Sequence, residues 1–236
     1  METVFLSYTY RPHPDHQPDL EKLRSYVVRA VEAMGLRVID GVDVGGHPLD
    51  DALRRRIEDA DALIALVTPQ ADDAGGLADP AFVLSEFQYA MGQSKPTMRV
   101  LHHLQTARGL GASHEYTPWR PSGEVDVILK LMNTIALWKR EYGQMARVRI
   151  EPEDLAARYD ETQGDRCEFQ VISQSGNFRD FQRASLFLEP GAAYALLPKL
   201  RVGERVRVRL RQGNTTWQSR YAIDPFVGGV RLEERP

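Results

Sequence analysis

The residues best suited to chemistry are Phe82 and Glu86. They stand four apart in Phe82-Val83-Leu84-Ser85-Glu86-Phe87, a run with helical spacing, so both side chains fall on one helix face. Apolar Val83, Leu84 and Phe87 flank the glutamate. A carboxylate held beside an aromatic ring suits glycosidic bond cleavage, where a nearby anion stabilises an oxocarbenium-like centre. The bland alternative is a solvated helix glutamate, because charged residues are seldom fully buried unless paired.

Other residues carry weaker chemical signals. Ser7, Tyr8, Thr9, Tyr10 and Arg11 end the first apolar run, where backbone N–H groups and Arg11 could hold a polar ring or a phosphate. Asp43 lies in a loop with three glycines, Gly41, Gly45 and Gly46, and could equally be a turn-forming aspartate. The pair Gly45-Gly46 is no dinucleotide fingerprint, since no G-x-G-x-x-G precedes a helix. His102-His103 suggests a metal, but adjacent strand residues face opposite ways and cannot easily share one ion, so no metal site is expected. Cys167, the single cysteine, has no CxxC partner and is expected to be a structural thiol. Arg205, Arg207, Arg209 and Arg211 alternate with Val206, Val208 and Leu210. On a strand this sets four guanidinium groups on one face, able to meet an anionic ligand or acidic partner, or to pair with Glu and Asp on neighbouring strands.

The elements that must position these residues follow from periodicity. Val4–Ser7, Leu36–Ile39, Ala62–Thr68 and Thr97–Leu104 read as buried strands. Helical stripes run through Leu20, Leu23, Val27, Val31 and Met34, through Leu49, Leu53 and Ile57, over 81–92, and from Val125 to about Tyr142. Gly35 sits where a helix end favours glycine. Gly109–Gly123 reads as irregular. Alternating strands and helices imply a parallel sheet with helices on both faces, and ligands then bind outside the carboxyl ends of the strands.

After Gly143 the pattern changes to short strand candidates: Arg147–Ile150, Cys167–Ser173, Ser185–Leu188, Arg205–Arg211 and Thr216–Ile223. Gln212-Gly213-Asn214 reads as a hairpin turn. Charge shifts at the same place. Residues 1–143 hold 15 Lys+Arg against 20 Asp+Glu, whereas residues 144–236 hold 15 against 13. Two domains are therefore expected, an α/β domain over 1–143 and a smaller, mostly β domain over 144–236. The opening METVFLSYTY has no signal-peptide pattern, and no apolar run reaches the roughly 20 residues that span a bilayer. A soluble, cytoplasmic protein without membrane contact is the expectation.

Four ordered features of residues 1–142 resemble the Toll/interleukin-1 receptor (TIR) family in its bacterial NAD-cleaving form. Val4-Phe5-Leu6-Ser7-Tyr8 is similar to its first strand. Asp40–Leu49 is similar to its long loop after the second strand. Ile57–Thr68 matches its helix-to-strand passage. Phe82 to Glu86, followed by Ala90, resembles its Trp-x-x-x-Glu motif, with phenylalanine where tryptophan is commoner. Asp72–Asp79 replaces a stretch that often contains serine. The resemblance implies a flavodoxin-like sheet and cleavage of the nicotinamide–ribose bond, with NAD as substrate rather than cofactor. It implies that Glu86 is the catalytic carboxylate and contacts the ribose hydroxyls. Ser7, Tyr8, Tyr10, Arg11, Asp43 and Phe82 would line the substrate site. It further implies a homo-oligomer built through TIR–TIR contacts and a defence or stress role, the products being nicotinamide and ADP-ribose or a cyclic isomer. A non-catalytic TIR scaffold and an enzyme like the nucleoside deoxyribosyltransferases are the alternatives. The 144–236 part resembles no family.

Overall fold

A computed structural model describes residues 1–40, 51–72, 76–105 and 116–235. The chain forms two compact units, Met1–Trp138 and Lys139–Pro236.

The first unit runs β1 (Thr3–Tyr8), α1 (Gln17–Ala33), β2 (Arg37–Asp40), α2 (Asp51–Asp59), β3 (Ala62–Val67), the two-residue strands β4 (Gln70–Ala71) and β5 (Leu77–Ala78), α3 (Ala81–Gly92), β6 (Thr97–His102), β7 (Tyr116–Trp119) and α4 (Glu124–Tyr142). Five strands form one parallel sheet in the order β2-β1-β3-β6-β7. This is a doubly wound order whose direction reverses between β1 and β3, the place where open sheets of this kind bind ligands.

Strand alternation decides what each face carries. Val4, Leu6, Ala62, Ile64 and Leu66 pack with Leu23 and Val27 of α1 and Leu131 and Ile135 of α4. The intervening Phe5, Leu63, Ala65 and Val67 pack with Leu53 and Ile57 of α2 and Val83 and Phe87 of α3. Every residue of β1 and β3 is buried, which explains the unbroken apolar sequence of β3 and the apolar Val4-Phe5-Leu6 centre of β1. Gly35 follows α1 with φ 69°, a left-handed conformation that suits a helix-ending glycine.

β7 corrects the irregular reading of 109–123. Its four residues alternate, with Thr117 and Trp119 buried and Tyr116 and Pro118 exposed. Proline obscured the pattern, yet it is tolerated here because β7 is the last strand of the sheet and Pro118 needs no N–H partner on its open side.

The second unit comprises β8 (Gln144–Glu151), α5 (Glu153–Ala157), β9 (Arg166–Ile172), β10 (Phe178–Glu189), β11 (Ala192–Leu200), β12 (Arg205–Gln212), β13 (Thr215–Ser219) and β14 (Gly229–Arg235). Its strands close into a barrel in the order β10-β11-β8-β14-β13-β12-β9. Val148, Phe169, Val171, Leu197, Val206, Val208 and Val230 are among the residues that fill it. The sequence pattern missed β11 and β14. The first is rich in Ala and Leu and carries Pro198 where its register with β8 shifts between Leu197 and Leu200. The second buries only Val230 and Leu232 among exposed neighbours. The two-residue turn Gly213-Asn214 joins β12 to β13 as expected. Gly143 has φ 79°, and a Cβ there would lie 2.5 Å from the Lys199 carbonyl carbon, so glycine is required.

The arginine stripe is engaged within the barrel. Glu168 on β9 pairs with both Arg209 (2.5 Å) and Arg211 (3.2 Å). The guanidinium of Arg209 lies 3.5 Å from the centre of the Phe181 ring, and that of Arg207 lies 5.6 Å from that of Phe178. Internal pairing thus accounts for two of the four charges. Cys167 is fully buried, and burial pushes its thiol up to about 12, which suits a structural thiol.

Candidate active site at the carboxyl edge of the sheet

α3 lies in the crossover from β3, which flanks the reversal point, to β6, after the short β4–β5 pair. Its buried residues are Val83, Glu86, Phe87 and Ala90, the i, i+3, i+4, i+7 stripe of a helix laid on a sheet. A carboxylate therefore occupies a core position. Glu86 is only 2% exposed. No cation pairs with it among the described residues. Burial in these surroundings pushes its carboxyl up to about 7, against a weaker opposing influence from the Ser7 hydroxyl. That hydroxyl is itself buried and not aligned in any hydrogen bond among the described residues, so it stands close to Glu86 with unused capacity.

Ser7 and Tyr8 project to opposite faces at the end of β1. Ser7 lies on the α3 side with Glu86, whereas Tyr8 packs in the cluster built on α1 and α4. Tyr10 bridges outward from this edge. Its ring lies 5.0 Å from Tyr8 and stacks on Phe82 at 6.0 Å with planes 23° apart. Tyr10 keeps 40% of its surface exposed, yet desolvation of its inner part raises the phenol, and the neighbouring Tyr8 oxygen and the Asp40 and Glu86 carboxylates act in the same direction, so it stays protonated as a donor. Of the five residues expected together, Ser7, Tyr10, Phe82 and Glu86 thus meet on the α3 side of this edge, while Tyr8 faces the other side and reaches them through its contact with the Tyr10 ring.

Two further expected members do not join them. The Arg11 side chain is exposed and makes no ion pair or ring contact with this cluster among the described residues; its backbone N–H donates to Thr9 Oγ1 at 3.3 Å. Asp43, with most of the loop to Leu49, lies outside the described residues.

Arg24 is a member that the sequence did not reveal. Its Nη2 is 3.0 Å from Asp40 Oδ2, and its guanidinium sits 4.7 Å from the Tyr8 ring centre. Arg56 Nη1 also donates to the Asp40 backbone oxygen at 3.1 Å. Two arginines therefore converge on the end of β2, one strand away from Ser7. Arg24 shows no hydrophobic period, and its partner Asp40 belongs to another element, so sequence spacing gave no sign of it.

At the carboxyl end of β6 a second group of side chains meets. The His102 ring contacts His103 at 4.4 Å and His16 at 4.9 Å between ring centres. Burial, followed by its two histidine neighbours, drives His102 down to about 4, so it is neutral at pH 7.

Chemically, the first cluster offers a buried carboxylate, an aromatic stack beside it, a nearby hydroxyl and a phenol donor. Such a set can hold a flat ring against Phe82 and Tyr10 and present an anion to an electron-deficient carbon. Compared with known proteins, the chain matches no family model, and no curated protein is similar to it in sequence.

Proposed function

We propose that the first unit is a TIR-type NAD glycohydrolase in which Glu86 stabilises the oxocarbenium-like ribose as nicotinamide leaves. The observation that carries this reading is Glu86 itself, a carboxylate 2% exposed, without an ion-pair partner among the described residues, and beside Ser7 at the end of β1, which flanks the reversal point of a doubly wound sheet. Unpaired buried carboxylates are costly and concentrate at functional sites. The nicotinamide ring of NAD is cationic, so its arrival beside Glu86 favours the ionised carboxylate that catalysis needs. The leaving group departs neutral, which removes the need for a general acid. Tyr10 and Phe82 supply the surface on which the nicotinamide stacks, and Ser7 supplies a hydroxyl for the ribose.

The test is direct. Purified protein is incubated with NAD and the products are resolved chromatographically. Nicotinamide together with ADP-ribose or a cyclic isomer supports the reading. A nucleobase released from simple nucleosides, with NAD untouched, favours a deoxyribosyltransferase-like enzyme instead.

Phe82 gives a graded check. Phe82→Ala removes half of the aromatic stack and should lower kcat/KM about tenfold, the equivalent of 1.4 kcal/mol lost from stacking and positioning. Phe82→Trp keeps the ring and should retain most of the activity. The alternative, that Phe82 only packs, requires both variants to change thermal stability while activity per folded molecule stays constant.

The same reading places the loop that begins at Asp40, with Gly41, Gly45 and Gly46, at a contact between TIR domains. Glycines lower the cost of rearranging a backbone on docking, and a neighbouring subunit would complete a shallow rim and exclude water. Specific activity should then rise with protein concentration, and Gly46→Arg should suppress both assembly and turnover. Constant specific activity over a wide dilution series, with only monomer seen in sedimentation, removes the assembly requirement.

A further inference from the structure

We propose that His16, Asp19 and His102 form a binding site for a divalent transition-metal ion, separate from the Glu86 cluster. The three residues come from two elements. His16 precedes α1 immediately and Asp19 lies in its first turn, three residues on, so both side chains reach the same side of the helix start. His102 ends β6, at the carboxyl edge of the sheet. One ligand atom from each lies within 4.8 Å of the other two. A tetrahedral ion with bonds of about 2.0 Å needs its ligands about 3.3 Å apart. His16 and Asp19 are only half-buried, so small rotations of their side chains close that gap.

A second observation points independently to a ligand. His102 is 0% exposed, and its Nε2 has no hydrogen-bond partner among the described residues. A buried polar atom left without a partner is costly, and a metal ion would supply the partner that this nitrogen lacks. Trp119 packs edge-on against the ring at 5.1 Å and limits its rotation. The other nitrogen, Nδ1, accepts a long contact of 3.3 Å from the Leu104 N–H. Coordination through Nε2 leaves the ring's one proton on Nδ1, so that long contact is given up. Metal coordination readily offsets this.

The neighbouring histidines fit less well. His13 Nδ1 is turned toward Asp15, accepting from its N–H at 3.4 Å and lying 3.7 Å from its carboxylate. His103 follows His102 directly and is exposed. Two imidazoles and one carboxylate prefer zinc, cobalt or iron(II) over magnesium or calcium, which favour oxygen donors. Three protein ligands also leave a coordination position open, the arrangement of sites that bind water or a substrate atom.

The experiment uses the full chain without an affinity tag, stripped with a chelator and titrated calorimetrically with zinc and, for its visible absorption, cobalt(II). The expected result is one ion per chain, ligand-field bands from cobalt, a melting temperature raised by zinc, and no comparable response to magnesium. His16→Ala and Asp19→Asn should each weaken binding at least about tenfold while the metal-free melting temperature stays near wild type. Because both positions are partly exposed, these variants should fold even if His102→Ala does not. His13→Ala and Glu86→Gln should bind the ion like wild type. Absence of saturable binding to the wild-type chain overturns the proposal, as does unchanged affinity in both His16→Ala and Asp19→Asn.

Discussion

Glu86→Gln should lower NAD cleavage by at least about a hundredfold while leaving the fold intact. The amide keeps the size and shape of the side chain and removes only its ability to carry charge. Stabilisation of a developing cation by a preorganised anion in a water-poor site is worth roughly 3 kcal/mol or more, and each 1.36 kcal/mol is tenfold in rate. Glu86 is buried without a countercharge among the described residues, so its field is weakly screened and nothing nearby replaces it. The effect belongs in kcat as well as kcat/KM, because the charge interacts more strongly with the transition state than with the bound substrate. A folded Glu86→Gln protein that keeps most of the wild-type kcat would remove Glu86 from the chemistry and leave it as a buried structural residue.

The same substitution should make the protein more stable at alkaline pH. Burial raises the Glu86 carboxyl from an ordinary 4.5 to about 7 in the folded chain. The folded state therefore holds this proton more tightly than the unfolded state does. The linkage has a definite sign: stability is greatest below about 4.5, falls as the pH climbs from there to about 7, and stays reduced above it. A shift of this size corresponds to about 3 kcal/mol between the two limits. Glutamine carries no such penalty. Glu86→Gln should melt several degrees above wild type at pH 8, with the difference shrinking toward zero at pH 4. Equal melting temperatures at both pH values would mean that the carboxylate is well solvated in the native protein. Together the two expectations describe a residue that costs stability and supplies function, the usual signature of a site rather than of packing.

Much of the first unit was legible because its two governing patterns are strong. Fully apolar runs such as Ala62–Val67 arise when a strand is covered on both faces, and the stripe Leu20, Leu23, Val27, Val31 arises when a helix covers one of them. Phe82 and Glu86 were legible because both lie within one helix, where spacing fixes the face. Legibility ended where partners come from different elements. Arg24 meets Asp40 only because α1 and β2 lie side by side at one end of the sheet. His102 shows only His103 beside it in the chain, whereas the side chains it meets in space, His16 and Asp19, lie far away in sequence. In the barrel, β12 announced itself by strict alternation. β11 did not, because Ala, Leu and a proline at a register shift give no strand signal of their own. Alternation puts the arginines of β12 on one face, but the pairing of Arg209 and Arg211 with Glu168 depends on the register between β9 and β12, which sequence does not specify.

The central claim, that the ionised Glu86 carboxylate cleaves NAD, is tested most directly by nicotinamide release measured across pH for wild type and Glu86→Gln side by side. kcat/KM reports ionisations of the free enzyme, in which Glu86 titrates at about 7. The expected result is nicotinamide release by wild type whose kcat/KM climbs about tenfold per pH unit below 7 and levels above it, with Glu86→Gln low and flat throughout. Absence of nicotinamide release from concentrated wild-type protein at pH 8, or release by Glu86→Gln at the wild-type rate, contradicts it.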